Sequence, residues 1–289
     1  MPRSPFTLSQ PDRPPSHVLY LSHHCLRRFL PVISQFRLQN LPSSADLPSS
    51  DDTPVDNEDQ NLLPNLLLLL LTHLWSARMD WYFGVDMALY HTTGDNPKIP
   101  VVPDAFLSLG VERKKGGKSR RSYATWEEGD VVPSFVLEMV SHQPRGEYEE
   151  KVALYAKLGV LYYLVYNPEF WQRDKHQPLE LYKLENGVYQ LQVSEPYWMP
   201  EVGLGIGRYQ GVVGGLLQEI LTWYDEKGDR HLSPEEQERQ RTVQERQRTV
   251  QERQAKEQAQ QRTTEERQQR ERLEAFLRSQ GIDPDQLPD

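Results

Sequence analysis

A predicted strand, turn and helix between Pro133 and Val160 constrain the fold of this chain more than any other stretch. Residues 135–140 read FVLEMV, so both faces of an extended segment are apolar except at Glu138. A strand that is apolar on both faces is typical of the centre of a sheet covered by helices. An ionised carboxylate at such a position is costly unless a partner compensates its charge. The sequence therefore predicts a partner for Glu138.

The helix predicted after this strand carries a basic candidate for that partner. The helix begins after Gly146 and ends at Gly159, because glycine is suited to the left-handed position after a helix. Two interpretations are open: Lys151 forms a buried ion pair with Glu138, or it extends to solvent while Glu138 caps a backbone group. Lys151 lies within an apolar stripe formed by Tyr148, Val152, Leu154, Tyr155 and Leu158.

A third charge, Asp104, follows Pro103 at the start of another apolar strand. An aspartate there is often a turn residue, but two carboxylates and a lysine are also what metal-assisted phosphodiester hydrolysis requires. Carboxylates hold Mg²⁺ through oxygen ligands, and the metal lowers the pKa of a bound water. A lysine orients that water and offsets the developing negative charge. This pattern predicts Asp104 and Glu138 as metal ligands and Lys151 as the catalytic lysine.

Three segments resemble the PD-(D/E)XK nuclease superfamily, and in particular its Uma-type branch of restriction endonucleases. They are PD at 103–104, VLEMVS at 136–141 and EEKVALYAKLGVLYYLVYNP at 149–168. The resemblance implies an α+β, restriction-endonuclease-like fold, with a mixed β-sheet flanked by helices, and an endonuclease that hydrolyses DNA with Mg²⁺ or Mn²⁺. In the superfamily pattern the lysine stands two residues after the glutamate, where this chain has Val140. The resemblance therefore assigns its role to Lys151 on the following helix.

Two further groups are candidates for contacts with metal or DNA. Asp86 interrupts the strand predicted at 81–90, and it is either a further metal or substrate ligand or a solvent-facing residue of an edge strand. The loop at 112–123 is either a surface that attracts phosphates or an ordinary solvated loop. Its predicted DNA-contact residues are Arg113, Lys114, Lys115, Lys118, Arg120 and Arg121.

Elsewhere in the central region, an apolar helix is predicted at 60–78, and its unbroken apolar run is far shorter than the roughly 20 residues that cross a bilayer. A buried strand is predicted at 161–168, followed by a hairpin at 179–192 with a type I′ turn. The G-x-G pattern at 205–207 lacks a βαβ setting, so a dinucleotide site is excluded. The stretch after it is predicted to be a last packing helix whose core-facing residues are Leu216, Leu217, Ile220 and Trp223.

Composition divides the chain into three parts. Residues 1–46 are rich in Pro, Ser and Arg and are predicted to be a disordered extension or the product of a misplaced start codon, with a transit peptide as the alternative. Residues 47–230 are predicted to form the nuclease-like domain. Residues 231–289 are predicted to form a polar helical tail, because ERQRTVQ occurs twice in tandem. The seven-residue period predicts a weak coiled-coil seam through Val243 and Val250, with self-association through Leu273, Phe276 and Leu277.

Charge and cysteine content restrict the classes of function. A net charge of −9 argues against broad electrostatic attraction to nucleic acid, so any phosphate contact must be local. Cys25 is the single cysteine, which excludes an intramolecular disulfide and fits a reducing cytoplasm. His23 and His24 lie beside it, but no second ligand cluster follows, so a metal site there is not predicted.

We therefore predict a metal-dependent endonuclease acting on DNA, without a membrane anchor, for which cutting both strands would favour a homodimer. The alternatives are a non-catalytic nucleic-acid- or protein-binding module on a nuclease scaffold, or an adaptor that works through its tail. Convergence of Asp104, Glu138 and Lys151 would favour catalysis. An ion pair between Glu138 and Lys151 with Asp104 in solvent would favour a structural role.

Overall fold

The computed structural model describes residues 41–50, 57–142 and 145–281. The predictions for residues 1–40, including those on His23, His24 and Cys25, lie outside the described residues. The elements in chain order are α1 (Glu58–Leu74), β1 (Trp81–Val85), β2 (Leu89–Tyr90), β3 (Ala105–Leu109), β4 (Tyr123–Ala124), β5 (Phe135–Met139), α2 (Glu150–Leu158), β6 (Tyr162–Tyr166), α3 (Trp171–Asp174), β7 (Leu179–Glu185), β8 (Val188–Leu191), β9 (Tyr197–Met199), β10 (Leu204–Val213), β11 (Leu216–Tyr224) and α4 (Pro234–Ser279).

The main sheet is mixed and has the strand order β1-β3-β5-β6-β7-β8. Strands β5 and β6 are parallel, and the other neighbouring pairs are antiparallel. One face packs against α1 and the β10–β11 hairpin, and the other packs against α2. The predicted α+β fold class, a mixed sheet flanked by helices with a helical tail, is confirmed.

Strand β5 is buried along its whole length, as its apolar sequence predicts. Phe135, Leu137 and Met139 contribute to the core on the α1 side, whereas Val136 contributes to the core on the α2 side. Side chains alternate between the two faces of a strand. Glu138 therefore points toward α2, the helix that carries its predicted partner.

Helix α2 connects the parallel strands β5 and β6, and it ends at the predicted glycine. Gly159 has φ 89°, and its N–H donates to the carbonyls of Tyr155 and Ala156. This left-handed cap stops the helix without the strain that a side chain would bring. Strand β6 then follows, fully buried, within the predicted segment 161–168.

The β7–β8 hairpin confirms the turn predicted from Asn-Gly. Asn186 and Gly187 both have positive φ angles, of 53° and 82°. A type I′ turn requires positive φ at both central residues. Its register pairs Glu185 with Val188 directly across the turn.

The prediction of a packing helix after Gly207 is wrong. Strands β10 and β11 instead form a long antiparallel hairpin, and the turn between them is Gly214–Gly215, with φ angles of 59° and 86°. The helical spacing of the apolar residues misled the sequence interpretation, because the same residues also fit a strand that is buried only in its second half. Ile220 and Trp223 are buried as expected, whereas Leu216 and Leu217 are exposed.

Helix α1 begins where the side chain of Asn57 accepts a hydrogen bond from Gln60 N at 3.0 Å. It ends at Leu74, before the predicted Arg78. The indole of Trp223 donates to the carbonyl of Leu67 at 3.0 Å, which joins the helix to β11. Within the described ranges, no helix is long and apolar enough to span a membrane.

Contacts with the domain extend to residues before the predicted boundary at residue 47. Ser44 donates to the Glu127 carboxylate through its backbone N–H at 2.8 Å and its hydroxyl at 2.6 Å. Arg121 donates to the carbonyl of Ala45 at 3.0 Å. Leu47 is buried in a small core with Ala88, Tyr90 and Ala124. Ser44 and Ala45 thus contact the domain directly.

The predicted tail is a single helix, α4, whose start is defined by a capping box. Ser233 Oγ accepts from Glu236 N, and the Glu236 side chain accepts from Ser233 N. With 46 residues the helix is about 69 Å long. Val243 and Val250 are each more than half exposed, and Arg–Glu pairs one turn apart line the helix. Self-association of this helix stays a prediction.

Candidate active site

Asp104, directly before β3, lies beside Glu138 on the neighbouring strand β5. The antiparallel register pairs Ala105 with Leu137, so the next position places Asp104 opposite Glu138. Side chains directly opposite each other in an antiparallel pair lie on the same face. Asp104 Oδ2 accepts a hydrogen bond from Met139 N at 2.6 Å, which holds the aspartate against the strand that carries Glu138.

Glu138 forms an ion pair with Lys151, one of the two arrangements that the sequence left open. Lys151 Nζ lies 2.7 Å from Glu138 Oε2. The Glu138 side chain is 1% exposed and the Lys151 side chain 20% exposed, so the ammonium group lies at the edge of the core. Tyr155, one turn further along α2, donates its hydroxyl to Glu138 Oε1 at 2.6 Å. Both carboxylate oxygens therefore accept hydrogen bonds from the same helix.

The electrostatics of the cluster favour an additional positive charge. Burial and the neighbouring Glu138 carboxylate raise the pKa of Asp104 to about 8. Burial works against the charged form of Lys151, but the Glu138 carboxylate outweighs it and raises the pKa of the lysine. Lys151 thus stays charged at neutral pH, whereas Asp104 holds a proton there. A divalent cation that displaced this proton would compensate the excess of carboxylates.

Glu147 belongs to the same cluster, although the sequence analysis did not identify it. Its side chain is buried, and its Oε2 accepts from Arg145 N at 2.8 Å. Its negative charge contributes to raising the pKa of Glu138, after burial. The available signal was its position four residues before Lys151; in the structure Glu147 lies in the turn that leads into α2, before the helix begins.

The donor set fits a hard divalent cation. Mg²⁺ prefers oxygen ligands and is usually held by one or two carboxylates together with waters and substrate phosphates. Asp104 and Glu138 supply two such carboxylates on one face. In the part of the chain that the structure describes, no group of three or more His, Cys, Asp or Glu side chains is arranged to hold a metal ion. The cation would therefore keep several of its waters.

Asp86 lies at the next strand position, beside Asp104, but it does not complete a three-ligand group. The N–H of Asp86 donates to the carbonyl of Asp104 at 3.1 Å. Asp86 is exposed and has a positive φ angle of 45°. The negative charge of Asp86 also raises the pKa of Asp104, but it contributes less than burial and the Glu138 carboxylate do. Asp86 thus borders the candidate site.

The basic loop leaves the sheet at the end of β3 remote from Asp104. Strand β3 starts directly after Asp104 and ends at Leu109, so roughly 17 Å of extended chain separate Asp104 from the start of the loop. The beginning of this loop therefore does not lie at the cluster, although it is close in sequence to the strands that border the cluster.

Several cations of the loop are occupied by contacts within the domain. Arg120 forms an ion pair with Glu128 at 2.9 Å, its guanidinium lies 4.4 Å from the Tyr82 ring centre, and its side chain is 2% exposed. The DNA contact predicted for Arg120 therefore does not fit the structure, because the side chain is buried and its charge is compensated. Lys115 pairs with Glu127 at 2.5 Å.

The remaining cations of the loop differ in accessibility. Arg113 is half-buried, with its guanidinium 3.9 Å from the Trp81 ring centre. Lys114, Lys118 and Arg121 are exposed. Lys114 donates to Ser119 Oγ within the loop, and Arg121 is tied to the backbone of residue 45.

A mixed sheet with neighbouring acidic residues, followed by a helix that carries a lysine, is the arrangement that the resemblance predicts for a nuclease-like α+β domain. The chain belongs to the Uma2 family, described as putative restriction endonuclease, whose model matches residues 52–209. All three predicted catalytic residues lie inside the matched range, and the family resemblance drawn from the sequence is confirmed.

One solved structure is similar over part of its length: a putative nuclease belonging to DUF820 from Anabaena variabilis ATCC 29413. It is 11% identical, the match covers 51% of this chain and 74% of that chain, and the TM-score is 0.37. Among curated proteins, none matches the chain.

Proposed function

We propose that this protein is a Mg²⁺-dependent endonuclease that hydrolyses phosphodiester bonds in DNA, with Mn²⁺ able to replace Mg²⁺. The observation that carries the proposal is the placement of Asp104 beside Glu138, with Lys151 Nζ 2.7 Å from the Glu138 carboxylate. Membership of a family described as restriction endonuclease supports DNA as the substrate class.

Each residue of the cluster has a distinct role in this proposal. Asp104 and Glu138 hold the cation, which when bound polarises the phosphate and lowers the pKa of a bound water. Lys151 turns from Glu138 to position the attacking water and to offset negative charge on the phosphate. Its partial exposure at the edge of the core gives the ammonium group access to a substrate. Asp86, at the border of the cluster, is proposed as a further contact with metal or substrate.

Phosphate contacts of the basic loop are proposed for Lys114, Lys118 and Arg121, whose side chains are exposed. Because the whole chain carries a net charge of −9, such contacts must act locally. Replacing Lys114 and Lys118 by Glu should weaken DNA binding and reduce its salt dependence. Replacing Lys115, which is paired with Glu127, should change the salt dependence less.

The second candidate function is a non-catalytic nucleic-acid-binding module on the same scaffold. The observation that favours it is the occupation of both Glu138 oxygens, by Lys151 and Tyr155. A carboxylate held in this way serves as a structural ion pair unless Lys151 moves. This module would bind DNA without cutting it.

A cleavage assay on supercoiled plasmid and single-stranded DNA distinguishes the two functions. The parent protein, Glu138→Gln and Lys151→Ala are compared with Mg²⁺, Mn²⁺ or EDTA. Lys157→Ala serves as a matched control, because Lys157 lies on the same helix but is exposed. We expect metal-dependent nicking by the parent and by the control, and a loss of about 100-fold or more in the two other variants. Folded Glu138→Gln and Lys151→Ala variants that cut as well as the parent would contradict the proposed site.

A further inference from the structure

Tyr155 occupies the second oxygen of the Glu138 carboxylate. Its hydroxyl donates to Oε1 at 2.6 Å, while Lys151 donates to Oε2 at 2.7 Å. The two donors are one helical turn apart on α2, so their side chains reach the same carboxylate from one helix face. Each oxygen of Glu138 therefore has its own donor.

The two donors differ in their freedom to move. The Lys151 side chain is partly exposed, and a lysine carries its ammonium group on a stem of four carbons with several rotatable bonds, so it can leave Glu138 for a water or a phosphate. Tyr155 is fully buried, and its ring packs against Tyr163 with the ring centres 5.2 Å apart. Turning its hydroxyl away would leave a buried donor without an acceptor, which is costly. Tyr155 therefore stays on Glu138 when Lys151 leaves.

The backbone also fixes this donor. The carbonyl of Tyr155 accepts from Gly159 N and Val160 N, both at 3.0 Å, at the capped end of the helix. Tyr155 is therefore held in place through its backbone as well as through the packing of its ring.

We propose that Tyr155 is a positioning residue, whose hydroxyl keeps Glu138 oriented toward the metal while Lys151 acts on the attacking water. This inference rests on the proposed function, because it requires Glu138 to be a metal ligand. Groups that hydrogen-bond to metal ligands orient them, and their loss typically lowers metal affinity by about 10- to 100-fold. Tyr155→Phe removes the hydroxyl alone and should weaken Mn²⁺ binding to that extent.

The test is a Mn²⁺ titration of the full chain, followed by the electron paramagnetic resonance signal of free Mn²⁺. The matched control is Tyr123→Phe, because Tyr123 is also fully buried and its hydroxyl donates to the carbonyl of Val131 at 2.9 Å. Thermal unfolding in EDTA measures what each lost hydrogen bond costs in stability. We expect similar losses of stability in the two variants, but weaker Mn²⁺ binding in Tyr155→Phe alone.

The outcomes separate this inference from the proposed function. If the parent and Tyr155→Phe bind Mn²⁺ equally, the positioning role is wrong while the metal site stands. If the parent does not bind Mn²⁺, both fall. For a variant of reduced stability, the rise in Tm on addition of Mn²⁺ also compares its Mn²⁺ binding with that of the parent. In the cleavage assay, excess Mn²⁺ should restore cutting by Tyr155→Phe but not by Lys151→Ala, because only the former retains the lysine.

Discussion

The ammonium group of Lys151 and the carboxylate of Glu138 form an ion pair, 2.7 Å apart, in which the carboxylate is almost fully enclosed. Such a pair contributes little net stability, because the cost of desolvating both charges offsets their attraction. Removing one partner is different, since it leaves the other charge buried and uncompensated. We therefore expect a substitution of one partner to lower the stability of the protein more than a substitution of both partners.

Lys151→Met should destabilise the metal-free protein by about 3 kcal/mol, because Glu138 would lose the charge that compensates it. The double variant Lys151→Met/Glu138→Gln should recover most of that loss. Urea denaturation at neutral pH in EDTA measures both. The control is Lys157→Met on the same helix, whose exposed side chain should matter by less than about 0.5 kcal/mol. Equal urea midpoints for Lys151→Met and Lys157→Met would show that the ion pair does not contribute to the stability of the protein.

Asp104→Asn should stabilise the metal-free protein, and increasingly so as the pH rises. Burial beside Glu138 raises the pKa of Asp104 from 3.8 to about 8. Between these values the unfolded chain has released a proton that the folded protein retains, so folding stability falls as the pH rises from about 4 to about 8. The loss is about 1.4 kcal/mol for each pKa unit of the difference. Asparagine removes this dependence.

Urea denaturation in EDTA at pH 4, 6 and 8 checks this sign. The gain from Asp104→Asn should be absent at pH 4 and largest at pH 8. Asp95→Asn, at an exposed position, is the control for the substitution itself. Parallel pH curves for the parent and Asp104→Asn would mean that Asp104 ionises normally in the folded protein.

The strand–helix–strand unit around the site could be predicted because its signals are local. Only a few neighbouring residues are needed to recognise the apolar faces of β5 and the glycine that ends α2. Both signals predict the same strand and helix. The β10–β11 hairpin could not be predicted from periodicity, since Leu216, Ile220 and Trp223 fit a helix face as well as a strand. Pairing with β10 and packing on α1 favour the strand over the helix. The local sequence signal for a hairpin was the turn Gly214–Gly215.

The sequence predicted the part of the candidate site in which a buried charge requires an opposite charge. It did not predict the part that depends on the register between two strands. A buried Glu138 requires a cation, which identified Lys151. The position of Asp104 opposite Glu138 follows from the pairing of β3 with β5, which the sequence does not specify. Tyr155 was counted with the apolar residues of α2, so its hydroxyl was overlooked. Arg120 was counted as an accessible charge, although Glu128 compensates it inside the domain.

Glu127→Gln should make the protein less stable at pH 6 but not at pH 2. Burial opposes ionisation of Glu127, but hydrogen bonds from Lys115 and Ser44 outweigh it and lower the pKa to about 2. A lowered carboxyl pKa contributes stability that is present above about pH 4.5 and is lost as the pH falls toward 2. Thermal unfolding between pH 2 and 6 measures the difference. Glu226→Gln, at an exposed position, is the control, and a loss that does not depend on pH would contradict the assignment.

Self-association of the full chain should depend on the end of α4 rather than on its heptad valines. Leu273 and Phe276 are each 60% exposed near the end of this helix, and exposed apolar side chains that recur on one helix face favour pairing with another helix. One valine in each seven residues supplies too little apolar surface for a stable seam. Association through α4 would bring two copies of the domain together, as cutting both strands of a duplex would favour.

Sedimentation velocity over a range of protein concentrations tests this. The sedimentation coefficient of the parent should rise with concentration, and Leu273→Ser/Phe276→Ser should remove most of the rise. Val243→Ala/Val250→Ala should leave most of it. Val193→Ser tests for unspecific apolar contacts, because Val193 is 83% exposed and lies outside the tail. A parent that stays monomeric at every concentration, or a rise that Val193→Ser removes equally, would exclude the end of α4 as the contact.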